Sequence, residues 1–442
     1  MILPTEVLKG MVDAITKIKR SNSVTIKFMI RNKQNLSFSI DDSIVDTISF
    51  RQDFANNTTD DIQISANMNA NDVQNLVANQ TDLFANLVIE YVDNTSHLPD
   101  LKEPPLTLTY KVFVHDLSSL TKKFGVKAFE NTDGTKTRSN TQGAVYVQVD
   151  MQLITDTEYN ANRASFTGMI RKSNVEDTMK YMTSVMGIKK MKMVPSDNPV
   201  NFQHMIIPPE HSNFRASFDY IQKKFGIYAN GFRHYMTNGT LYVYPPFDMH
   251  STRTPKLHII RVSENTYHGC LNYHKPEDNG DLTIISNTRL ESKSLSNVGS
   301  ENDGNTKLFV RSDGVFDGQV DPNKMTLTNI TASMSNSVDA SISKGSAVSK
   351  YVKPTLNLLD HASKFSESDT ELMSFGWMYA RINSIEPGMP TVFIFDEKNT
   401  VMSKTGIVES VMYRMTRVSK NVYNTNATLV IRSDPKPINY QI

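Results

Sequence analysis

His268, Cys270 and His274 form the densest cluster of possible metal ligands in the chain. Imidazole and thiolate are donors that zinc accepts, but zinc sites space them in regular pairs and add a fourth ligand. None is close here, and Tyr267, Leu271 and Tyr273 interleave with the cluster, so the stretch reads as an ordinary turn. Asp313-Gly, Asp317-Gly and Asp321 offer carboxylates in an acidic, glycine-punctuated stretch of the kind that calcium loops use. Such a loop closes on a bidentate acid. No Glu follows within the required span, so a polar turn is the expectation. Cys270, the single cysteine, could be a nucleophile, but an isolated thiol is usually a small buried hydrophobe. Glycoside hydrolysis needs two carboxylates at a set separation, and nothing local singles out a pair among the 46 acidic residues. A Gly-x-Ser-x-Gly elbow, a His-Glu-x-x-His pair and a Walker loop are all missing. Lys189, Lys190 and Lys192 run beside Met191 and Met193. They could meet an acidic partner, but a solvated strand edge accounts for them. The expectation is no enzyme, with no catalytic, cofactor-binding or metal residue.

Composition narrows the classes further. The chain has 442 residues with 47 Lys+Arg against 46 Asp+Glu, a net charge of +1. At roughly 150 residues per domain this allows two to four domains. One cysteine excludes an intrachain disulfide framework. No apolar run approaches the ~20 residues of a membrane span, and the opening Met1-Ile-Leu-Pro-Thr-Glu lacks the basic and apolar regions of a secretory signal. A near-zero net charge argues against non-specific nucleic-acid binding, which needs surplus Lys and Arg. Apolar residues make up 39%, with 39 Asn in compensation. The Asn-x-Thr/Ser sequons, among them Asn57, Asn238 and Asn426, are then by-products of Asn and Thr abundance.

The elements that must position these side chains follow from periodicity. Residues 4–19 carry apolar residues at helical spacing. Val24, Ile26, Phe28 and Ile30 alternate as a half-buried strand does, and segments 36–40, 44–54, 61–68, 83–93 and 106–117 read as further strands, with a short helix at 71–78. Residues 119–142 form an aperiodic linker. Strand 143–154 opens a mixed region. In it Ser173-Asn-Val-Glu176 reads as a capping box before a helix with Val175, Met179, Met182 and Met186 on one face, stopped at Gly187. These methionines read as core. A second helix starts near Ser212, carries Phe214, Phe218, Ile221 and Phe225, and ends at Gly226. Asn238-Gly239 between alternating runs signals a hairpin. Strands return at 256–262, 281–287, 307–311 and 325–331, a loop is expected at 296–306 and a helix at 369–382, and three strong strands follow from Pro390 to Arg432. The fold class expected is mainly β with an α+β insert: a β-barrel domain with an N-terminal helix at 1–118, a linker at 119–142, a mixed middle domain at 143–254, and a second β-barrel domain with insertions at 255–442.

Two stretches resemble a known family. Phe214-Arg-Ala-Ser-Phe-Asp-Tyr-Ile-Gln-Lys-Lys-Phe-Gly226-Ile-Tyr, entered through Ile207-Pro-Pro-Glu-His-Ser212 and followed by Thr240-Leu-Tyr-Val-Tyr-Pro245, resembles the middle domain of baseplate central hub proteins of contractile-tailed bacteriophages. Ile385-Glu-Pro-Gly-Met-Pro-Thr-Val-Phe-Ile-Phe395, Thr405-Gly-Ile-Val-Glu-Ser-Val and Ala427-Thr-Leu-Val-Ile-Arg432 are similar to the second tail-tube-like barrel of those hubs. The resemblance covers most of 143–250 and 366–432. The first barrel fits only by strand pattern, and the Ser/Asn-rich stretch 333–350 and the basic run near 189 depart from it. The resemblance implies two tail-tube-like β-barrel domains and a homotrimeric ring of pseudo-sixfold symmetry acting as a symmetry adaptor. It would join the central spike protein to the tail-tube protein, initiate tube assembly and line the DNA channel. The other partners implied are the tape measure protein and baseplate wedge proteins, with DNA only in transit, no membrane insertion and no cofactor. The location implied is the virion tail, assembled in the bacterial host cytoplasm. A lumen without basic patches would suit that passage. The competing expectations are a virion-associated glycan-degrading enzyme, a receptor-binding tail protein, or another tail-tube or adaptor protein.

Overall fold

The computed structural model describes residues 22–32, 37–39, 45–69, 73, 83–93, 106–114, 146–248, 254–261, 273–276, 281–286, 291–294, 306–311, 314–321, 326–333, 357, 359, 370–378, 380–397, 400–419, 422–434 and 438–439. The expected helix at 4–19, the linker 119–142 and the stretch 334–350 lie outside them, as do nearly all of the helix expected at 71–78 and the loop at 296–306.

The first strands are β1 (Asn22–Asn32), the short β2 (Ser37–Ser39), β3 (Val45–Asp53), β4 (Asp61–Asn69), β5 (Leu83–Asp93), β6 (Leu106–Val114) and β7 (Tyr146–Thr155). Alternation decides their faces: Val24, Ile26, Phe28 and Ile30 of β1 are all buried. The middle elements are α1 (Asp156–Arg163), β8 (Gly168–Ser173), α2 (Val175–Val185), β9 (Lys190–Met193), β10 (Phe202–Ile207), α3 (Phe214–Phe225), β11 (Arg233–Thr237) and β12 (Thr240–Tyr244). Then come β13 (Leu257–Arg261), β14 (Tyr273–Pro276), β15 (Leu282–Ser286), β16 (Glu291–Ser294), and a separate meander of β17 (Thr306–Arg311), β18 (Gly314–Asp321) and β19 (Thr326–Ser333). The chain ends with β20 (Glu371–Met378), β21 (Pro390–Glu397), β22 (Thr400–Ser419), β23 (Val422–Ser433) and β24 (Ile438–Asn439).

The protein is mainly β, and its centre is a closed eight-stranded barrel in the order β22-β3-β4-β7-β6-β5-β1-β23, with β23 returning to β22. This corrects two boundaries. The strands of 1–118 do not close on themselves: β7 fills the gap between β4 and β6. The strand expected to open the middle domain at 143 is therefore a barrel stave. The hairpin β22–β23 fills the second gap, although it was expected to belong wholly to the other barrel. Each of its strands changes partner part-way along. In β22, Thr400–Ile407 pairs with β21 and Ser410–Thr416 with β3. In β23, Asn426–Ser433 pairs with β20 and Val422–Asn424 with β1.

The exchange in β22 occurs at a bulge between Val408 and Ser410. A bulge adds a residue and re-aims the strand. The residue there, Glu409, forms a bidentate pair with Arg432, at 2.7 Å to Nη2 and 3.1 Å to Nε, and its backbone oxygen accepts from Phe54 N. The outer halves of the hairpin continue into a second sheet, β14-β15-β13-β21-β22-β23-β20-β16. This sheet curls far enough for Ser286 Oγ on β15 to donate to the Gly376 carbonyl on β20. One apolar cluster runs through both sheets, from Phe28 and Leu87 in the barrel to Phe375 and Phe393 beyond the hairpin. Burying a side chain of this size contributes about 1.5–3 kcal/mol.

The helix expected at 369–382 is a strand. Leu372, Phe375 and Met378 keep helical spacing, but Met373, Phe375 and Trp377 are the buried set, and they alternate. Pairing with β23 and β16 on its two edges decides the conformation.

Candidate functional site

The middle elements form a unit with its own core, which includes Met179, Met182, Met186, Phe214, Phe218 and Ile221. The methionines of α2 thus read correctly as core. The hairpin turn also forms as expected: Asn238 and Gly239 both have positive φ, 49° and 70°, as a type I′ turn requires. α3 starts at Phe214, close to the expected Ser212; it is capped by Asn213, whose side chain accepts from Ala216 N, and it stops at Gly226. The capping box expected at Ser173 does not form, and the cap itself falls one residue later. Asn174 is the N-cap and accepts from Asp177 N, while Glu176 instead accepts from Ser196 N.

β11 is the strand on which this unit is mounted. Its pleat sends His234 and Met236 to one face and Tyr235 and Thr237 to the other. On the inner face His234 is buried among Phe214, Phe218 and Phe232, with ring centroids 5.3–5.6 Å away. Burial, then the charges of Arg215 and Arg233, pushes its imidazole down to about 3, so it is neutral.

On the other face β11 meets the barrel. Asp60, between β3 and β4, accepts from Tyr235 Oη at 3.0 Å, Thr237 Oγ1 at 2.6 Å and Gln52 Nε2 at 3.0 Å. Met236 N donates to the Thr58 carbonyl at 2.8 Å, and Phe54 packs edge-on against Tyr235. Glu158 of α1 is a second carboxylate in this joint. It closes a capping box with Thr155 at the point where β7 passes into α1. Its Oε2 accepts from Thr155 N, while its Oε1 is buried without a partner, as is Gln52 Oε1. Burial is the largest influence on both acids. It raises Asp60 to about 6 despite three donors, and it raises Glu158 well above the carboxylate range with help from the charge of Asp60. Two carboxylates invite a catalytic reading, but both are closed off: Asp60 is 7% exposed and Glu158 0%. They serve as an internal polar joint. The signal for half of it was legible, because Thr155-Asp-Thr-Glu158 matches the capping-box pattern. Asp60 gave none.

A second contact joins the middle unit to the outer sheet. Lys192 Nζ lies 2.6 Å from Glu386 Oε1, and Tyr242 Oη donates to the same oxygen at 3.4 Å. The bond to Glu386 holds the Lys192 ammonium above its ordinary value. These residues border a cavity of about 430 Å³ with Tyr244, Pro387 and Met389. Lys189 and Lys190 are exposed. The basic run is therefore a solvated edge at two positions and an ion pair across the joint at the third.

His268, Cys270 and Asp313 lie outside the described residues; His274 falls on β14, and Asp317 and Asp321 on β18. Among the described residues no group of three or more His, Cys, Asp or Glu could hold a metal ion, and no helix is long and apolar enough to cross a membrane.

No protein-family model matches this chain, and no curated protein matches it in sequence. Solved structures similar to it include a tail protein from Neisseria meningitidis, at 11% identity and TM-score 0.49, covering 93% of this chain and 97% of that one. Another is the 43 kDa tail protein of prophage MuSo2 from Shewanella oneidensis, at 9% identity and TM-score 0.47, covering 92% and 96%. A third is the half-lidded PdpA–VgrG complex of Francisella, at 10% identity and TM-score 0.44, covering 99% of this chain and 63% of that one.

Proposed function

We propose that this protein is a non-enzymatic structural component of a phage tail baseplate, and within it the central hub. The observation that carries the reading is the shared hairpin. One closed barrel and one curled sheet stand side by side on a single chain, with β22 and β23 serving both. A subunit with two β-halves, placed three times around an axis, offers six stations, which is what a joint between a threefold spike and a sixfold tube demands. The phrases that carry the sequence resemblance support it by position. Gly226-Ile-Tyr ends α3, Leu-Tyr-Val-Tyr is β12, and Pro387-Gly388 turns into β21. The barrel interior is filled with apolar side chains, so a DNA passage would run between copies.

Copy number per particle tests the reading. Three copies, with a ring of roughly 150 kDa formed alone or with the spike, is the expected result. Large multiples of six would replace the hub with a tube protein. A glycan-cleaving activity abolished by one carboxylate substitution would overturn the non-enzymatic reading.

A further inference from the structure

We propose that the joint between barrel and middle unit is held closed by protons on Asp60 and Glu158, so that acidification tightens it and alkaline conditions loosen it. The geometry leads here independently of the tail reading. Two carboxylates from different units are buried in one joint, and among the described residues neither forms an ion pair. A buried charge without a cation is costly, and a carboxyl group escapes that cost by holding a proton. Glu158 Oε1, buried and unpartnered, is the atom that would carry it.

A proton on Asp60 also has a receiver. Gln52 now points its amide nitrogen at Asp60 and leaves its oxygen unpartnered. Turning the amide over would present that oxygen to the new hydroxyl, in exchange for the bonds that Nε2 now gives to Asp60 and, at 3.2 Å, to Thr237 Oγ1. Among the described residues, the remaining titratable and polar neighbours are uncharged. They are Tyr110 from β6, Tyr235 and Thr237 from β11, and Tyr413 from β22, and burial holds all three phenols protonated. In the open joint both acids would return to water and release their protons, so closure takes protons up.

An acid whose pKa is raised in the closed state contributes most at low pH, and its contribution is lost as pH rises above the value it has in the open state, near 4. His234, facing Asp219, Arg215 and Arg233 on the opposite side of β11, would act in the reverse direction.

The reporter is the Met236 amide, which bonds to Thr58 across the joint. Its hydrogen exchange, divided by the intrinsic rate, gives the opening constant in the full-length protein. That constant should rise with pH between about 5 and 7, by up to tenfold per unit for each proton released. Glu158→Gln should flatten the rise, and the ratio of wild type to variant cancels the contribution of His234. Infrared spectra at pH 7 should show the carbonyl stretch of a protonated carboxylic acid in the wild type. If Glu158→Gln does not fold, Asp60→Asn and that infrared band still decide the matter. A pH-independent ratio, or no protonated-acid band at pH 7, would overturn the proposal.

Discussion

At the scale of single residues, burial governs more than sequence neighbours do. His234 is neutral because three aromatic rings exclude water from it and two arginines oppose its charge. Its folded pKa, about 3, lies below the unfolded value near 6.5. The stability it confers is thus complete above pH 6.5 and is lost as pH falls, at about 1.4 kcal/mol per unit. His234→Leu should shallow the loss of urea resistance between pH 6.5 and 5; an unchanged slope would reject the assignment. Gly406 is constrained by space. A methyl there would collide with the Arg432 carbonyl oxygen and crowd Ser433. Gly406→Ala should cost roughly 1–3 kcal/mol, read as a lowered urea midpoint. Neither effect is legible in the chain, because both depend on partners brought in by the fold. Asp60 meets Tyr235 across 175 positions, and no local pattern announces such a pair. The Thr155–Glu158 box lies within four residues, and there the pattern is plain.

At the scale of elements, local signals located most of the structure and failed where two periods coexist. The strands of the first barrel, α3 and the Asn238-Gly239 turn follow from spacing that tertiary contacts merely confirm. In Glu371–Met378 the same residues satisfy both a helical and a strand period, and only the edges offered by β16 and β23 select the strand. The cap at Asn174 was misplaced for a similar reason: Ser173 and Asn174 are both good caps, and the demand of Ser196 N for Glu176 settled between them. The bulge in β22 is pinned by Glu409 and Arg432, which are 7% and 4% exposed. Removing one partner strands a buried charge. Arg432→Ala should therefore cost about 3–5 kcal/mol, while the double change Glu409→Leu with Arg432→Met should recover most of it. A double-mutant cycle in urea measures this; equal losses for the single and double variants would contradict it.

At the scale of the whole molecule, the barrel and the outer sheet are one cooperative body, because one apolar cluster and one hairpin run through both. Leu429 on β23 is fully buried in that cluster. Leu429→Ala should cost roughly 2–5 kcal/mol and lower the melting of both sheets together, whereas the middle unit, with its own core, should keep a separate transition in hydrogen exchange. The sequence contained the mainly-β class and the mixed insert, but not the sharing of staves, since alternation marks a strand without naming its partner. The sharing has a consequence for synthesis. Tyr423 bonds to Val45 across 378 positions, so the barrel waits for strands that leave the ribosome long after β3. Until then β3 has an uncovered edge, and so has β1 outside the stretch Met29–Arg31 that pairs with β2, a state that invites pairing with other chains. A nascent chain stalled before residue 400 should be open to protease within β1 and β3 to β7, and release of the β22–β23 hairpin should protect those strands in a single step.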